Sequence, residues 1–154
     1  MSLKFHLLNG FLLIVPLLIW NILLGPKITD PHITSDANSP QWLLIAENIT
    51  RIAVFALPLL MPLPRGVEWQ SSLVRAGLAV YVFGTLIYFA SWLPLLLAPD
   101  SAWSSSTIVW LAPRLTPFLC FLGIAMMCQS WPYAVLSALF IFFHTWHGVQ
   151  NLNL

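Results

Sequence analysis

The sequence predicts an all-α, polytopic integral membrane bundle of five transmembrane helices. Three observations predict it. Of 154 residues, 59% are hydrophobic and only 7% charged, where a water-facing globule carries about 25% charged residues. Mean hydropathy is +0.85. Five stretches each approach the roughly 20 apolar residues that a membrane-crossing helix needs. The same composition excludes a disordered chain, a disulfide framework and a nucleic-acid binder. The net charge of +1 gives no electrostatic case for an acidic partner.

One membrane domain, residues 1–154, accommodates the chain. The first span, 3–24, carries Lys4 and an apolar run but no small-residue cleavage site, so it reads as an uncleaved anchor. A polar outer loop follows at 25–40. Gly25, Pro26, Pro31 and Pro40 oppose helix there. The second span is 41–63 and the third 73–98. Gly77, Gly84 and Ser91 recur at heptad spacing on the third, a stripe that lets a neighbouring backbone approach closely. The fourth span is 107–128. Cys120 and Cys128 lie on it, about 12 Å apart along the axis and too far for a disulfide. The turn Gln129, Ser130, Trp131 separates it from the fifth span, 132–151, whose Pro132 suits a first helical turn. Pro16, Pro58, Pro94, Pro113 and Pro117 each free a carbonyl one turn back, suggesting bent helices around a cavity.

Orientation follows from Lys and Arg near span ends. With the N-terminus in the cytoplasm, the inner side holds Lys4, Arg65 and Arg75, and the outer side only Lys27 beside Asp30, Asp36 and Asp100. The expected location is a bacterial-type plasma (inner) membrane, N-terminus cytoplasmic and C-terminus outside.

Polar groups at membrane depth are costly and each needs a partner or a cavity. Glu47 and Arg51 stand four apart on the second span, share a face and can form an intramembrane ion pair, flanked by Asn48. Arg114 lies on the fourth span. His144 and His147, three apart on the fifth, can point the same way. Asn21 on the first span, and Tyr88 and Ser91 on the third, fall at the same level. Alternating span directions put all nine residues in one slab of the outer half, which looks like a ligand pocket open to the outside. His6 beside Lys4 and His32 in the loop read as solvated.

Several chemistries can be weighed for that slab. The leading function is binding, and in a fuller version passage, of a small anionic or amphipathic ligand, with Arg51 and Arg114 as donors. The alternative is a membrane-embedded enzyme using Glu47 with His144 or His147 as acid and base, since histidine titrates near neutral pH. A third is a structural or accessory subunit. An open metal site could take His144, His147 and Glu47 as ligands, but the H-E-x-x-H pattern is absent. Haem held by two histidines needs opposed ligands, which one helix cannot supply. No cofactor is strongly implied, and its identity is left open. The expected partners are the lipid bilayer and a lipid or small anion, with no nucleic acid. An odd span count disfavours internal duplication, so transport would call for a homo-oligomer or a partner membrane subunit.

Overall fold

The computed structural model describes residues 8–28 and 39–151. Lys4, His6, Asp30, His32 and Asp36 fall outside them, as do residues 3–7 of the first expected span and most of the 25–40 loop. Among the described residues the chain is helical, with no strand. Six helices run in order: α1 Phe11–Leu24, α2 Gln41–Ala56, α3 Ser72–Leu97, α4 Thr107–Leu115, α5 Pro117–Met127 and α6 Trp131–Asn151.

By length and composition, three helices can cross a membrane: Gln41–Leu60, where a 3₁₀ turn extends α2, Ser72–Leu97, and Thr107–Met127, where α4 and α5 run on. Large apolar side chains such as Ile22, Ile52, Phe83, Leu86 and Phe142 stand exposed on outer helix faces. That arrangement suits lipid, because an apolar face turned to water would forfeit its transfer free energy. α6 has 21 residues. It is less apolar because His144, Thr145, His147, Gln150 and Asn151 crowd its last turns.

The first expected span differs most from the structure. The helix starts at Phe11, not residue 3, and residues 8–10 instead pair with the segment after α2. Gly10 N–H donates to Met61 O at 2.8 Å and Leu63 N–H to Leu8 O at 3.3 Å. The Asn9 side chain accepts from Phe11 N–H at 3.1 Å, an Asx turn that leads into the helix. The resulting 14 residues reach about 21 Å, short of a ~30 Å hydrocarbon core.

The fourth expected span is a broken helix. Pro117 has no N–H to offer the Pro113 carbonyl. α4 accordingly ends at Leu115 and α5 starts at Pro117. α5 closes in a two-bond cap, Ser130 N–H to Ala125 O at 2.8 Å and Gln129 N–H to Met126 O at 3.2 Å. Gln129 adopts φ +51° there, a left-handed position that a side chain occupies at some cost.

Two antiparallel helix pairs carry the core. In the first, Gly77, Tyr81, Gly84 and Tyr88 are buried on α3 at steps of four and three, and they meet Cys120, Gly123 and Met127 of α5. A Cβ built on Gly84 would lie 2.6 Å from Leu119 Cβ, and one on Gly123 2.5 Å from the Tyr81 nitrogen. The glycines are what let these backbones touch. Ser91 belongs to the same seam: its hydroxyl donates to Tyr88 O at 2.6 Å and lies 3.4 Å from that of Thr116. In the second pair, Leu43, Glu47, Thr50 and Val54 of α2 are buried and face Tyr133, Ser137, Phe140 and His144 of α6. Tyr133 Oη donates to Val54 O at 3.2 Å, which fixes the register. α1 joins the two pairs: Tyr81 Oη donates to Leu13 O at 2.7 Å, and Trp20 stacks on Phe89 at 4.2 Å.

Candidate functional site

Both faces of the α2–α6 pair repeat at alternating steps of three and four, so they stay in contact along their length. Thr50 and Ser137 within that seam turn their hydroxyls onto their own helices, to Ala46 O at 2.8 Å and Tyr133 O at 2.7 Å. Glu47 cannot do so. A carboxylate only accepts, and the carbonyls around it also only accept. Its partners must therefore come from the facing helix and from one turn along its own.

Glu47 is 2% exposed. Its Oε1 accepts from Arg51 Nη2 and meets His144 Nδ1 at 2.8 Å. Its Oε2 meets His147 Nδ1 at 2.6 Å. An ionised Glu47 has no proton to give, so both imidazoles donate from Nδ1. In each ring that leaves Nε2 as the other polar atom. The ring of His144 is stacked on Phe140, centroids 5.3 Å apart, which further fixes its plane. Trp42 of α2 and Trp146 of α6 meet edge-on at 5.3 Å, a further contact between the two helices.

Two adjoining cavities share Asn21, Pro113 and His144 as walls. One, of about 320 Å³, is lined by Leu17, Leu18, Arg51, Phe55, Tyr88, Pro117, Phe121 and Phe140 besides. The other, of about 270 Å³, adds Ile28, Trp92, Leu95, Trp110 and Arg114. All six helices contribute walls. The Pro113–Pro117 break lies directly on them.

Of the nine residues expected in one slab, Asn21, Arg51, Tyr88, Arg114 and His144 reach these cavities. Glu47 and His147 sit behind the wall, holding His144 and Arg51 in place rather than lining it. Asn48 is exposed on the opposite face of α2. Ser91 is spent on the α3–α5 seam. Among the described residues, no three His, Cys, Asp or Glu are placed to hold a metal. The facing atoms of Glu47, His144 and His147 are directed at one another instead.

Gly148 is a position beside the candidate site that sequence reasoning missed. A Cβ there would stand 2.5 Å from Arg114 Nη1 and 2.7 Å from its Cδ, so the glycine forms the seat of that side chain. A small residue one turn beyond His144 was the available signal. Trp92 and Trp110 were also missed as walls, since indoles near span ends read equally well as interfacial anchors.

A larger recess, about 490 Å³, lies at the other end of the bundle between Pro62, Arg65, Glu68, Cys128 and Gln129. Its Glu68 is spent on a local turn, accepting from Arg65 N–H at 2.7 Å. The cavities around His144 therefore hold the richer chemistry. No family model, curated protein or solved structure matches this chain, so its reading rests on this geometry.

Proposed function

We propose that the protein is a five-span integral membrane bundle, N-terminus in the cytoplasm, that binds a small anionic or amphipathic ligand in the cavities around His144. Passage of that ligand is the fuller version. The observation that carries the proposal is the convergence of Arg51, Arg114, Asn21 and His144 on two adjoining cavities within an otherwise apolar bundle. Guanidinium and imidazole N–H groups recognise carboxylates and phosphates, and do so more strongly where the surroundings are apolar. Lys27 and Asp100 lie at the same end of the bundle as Arg114, the end assigned to the outer side.

A specific observation favours a second reading, a membrane-embedded enzyme. The Glu47 carboxylate orients His144 through Nδ1, as a carboxylate orients a catalytic or metal-bound imidazole, leaving Nε2 for a molecule in the cavity. The two readings share one site and differ in whether the bound molecule is returned changed.

The test is a thermal-shift screen of the detergent-solubilised protein with phosphate, short carboxylates and lipid head groups. Saturable stabilisation of the wild type is expected. Arg114→Gln should weaken it about tenfold to a hundredfold, the worth of one charge-assisted hydrogen bond. Gly148→Ala should act in the same direction by displacing the guanidinium, with little effect on unfolding. If no ligand shifts the wild type and Arg114→Gln is unstable, the polar groups serve only to hold the helices together.

A further inference from the structure

The two cavities differ in chemistry, and that difference narrows the ligand class. The cavity that includes Arg114 brings a guanidinium together with Asn21, Trp92 and Trp110. The other is walled mainly by carbon. Leu17 and Leu18 close one side. Phe55, Phe121 and Phe140, with ring centroids 6.0 to 6.2 Å apart, make a continuous aromatic floor. Its one guanidinium, Arg51, is already engaged by Glu47.

A bare anion would satisfy the first cavity and leave the second to water. Each water needs two to four polar partners; Asn21, Arg51, Tyr88 and His144 offer some, but the three phenylalanines, two leucines and two prolines of the wall offer none from their side chains. An alkyl chain needs no partners. At about 30 Å³ per water-sized group, a cavity of about 320 Å³ takes about ten such groups. That is the volume of one alkyl chain of about ten carbons.

Resting on the binding reading above, we propose that the site takes a single-chain anionic amphiphile. Its carboxylate or phosphate head lies between Arg114, Asn21 and His144, and its alkyl chain lies over Phe55, Phe121 and Phe140. The site thereby discriminates against both bare anions and two-chain lipids.

The experiment is a chain-length series of straight alkanoates, butyrate through hexadecanoate, on the full-length protein at a fixed concentration of non-ionic detergent. Inorganic phosphate, decanol, dodecyl phosphate and a two-chain phosphatidic acid are run beside it, with melting temperature and native mass spectrometry as readouts. Affinity should rise about fourfold per methylene, then level off near ten carbons, where the cavity is full. Phosphate and decanol should each bind at least a hundredfold more weakly than decanoate, and dodecyl phosphate should match dodecanoate. Partition into micelles has no such break. Leu18→Trp, which narrows the carbon-lined cavity, should flatten the rise of affinity with chain length. Phosphate binding as tightly as decanoate overturns the amphiphile and keeps an anion site. A series that climbs without a break, or two-chain lipid binding as tightly as decanoate, overturns it as well, whether or not Leu18→Trp folds. Failure of every compound to stabilise the wild type overturns the binding reading itself.

Discussion

Replacing Glu47 with glutamine tests whether charge balance, rather than hydrogen-bond count, holds α2 to α6. Glutamine keeps one acceptor oxygen, which can still receive Arg51 and His144. Its amide can donate to His147 once that imidazole moves its proton to Nε2. The bonds can be rebuilt, but the negative charge cannot, and Arg51 is left without its counter-ion. Breaking a fully buried pair in this way costs about 3–5 kcal/mol. The Arg51 side chain is 43% exposed, which argues for the low end, about 3 kcal/mol. For a chain of this size that corresponds to a fall in Tm of about 6–12 °C. The double variant Glu47→Gln with Arg51→Met removes the orphaned charge, while the amide still bridges the two histidines. It should recover about half of the loss or more. The assay is thermal unfolding in detergent followed by tryptophan fluorescence, with Trp42 on α2 and Trp146 on α6 in contact across the pair. A double variant as unstable as the single, or less stable, would refute the reasoning, because Arg51 would then be held by something other than Glu47.

Other expectations follow from the helix seams and the threading. Gly84→Val and Gly123→Ala force side-chain atoms against Leu119 Cβ and the Tyr81 backbone nitrogen, so each should destabilise by about 1–3 kcal/mol or more. Gly25→Ala, with nothing within 4 Å of the added carbon and a right-handed φ of −51°, should be neutral or stabilising by up to about 1 kcal/mol; parallel melts of the three variants check the contrast. A reporter fused after Leu154 should be translocated and one inserted at Gly66 should stay cytoplasmic. A cytoplasmic reporter after Leu154 would remove either the fifth crossing or the orientation.

Helical class and membrane-compatible hydropathy are written in composition and in runs of apolar residues, because both depend only on local chain length and solvent transfer. The α3 glycine stripe was legible for the same reason: heptad spacing fixes a face whatever the partner. The partner's own glycine, Gly123, was not, since a single small residue carries no periodicity. The start of α1 at Phe11 escaped the apolar run from residue 3 because it depends on Asn9 and on pairing with Met61 and Leu63, residues some fifty positions away. The site shows the same division. Glu47 and Arg51 are neighbours through helix geometry alone, four residues apart on one face. That Glu47 also meets His144 and His147, 97 and 100 positions on, depends on the α2–α6 register, which no local pattern contains. Tertiary packing likewise turned Asn48 outward and committed Ser91 to a helix seam. It placed Gly148 beneath Arg114 and opened the cavities at the Pro113–Pro117 break. Sequence marked which side chains are too polar for an apolar bundle, because their desolvation cost is intrinsic. Which of them meet, and around what space, was decided by long-range packing.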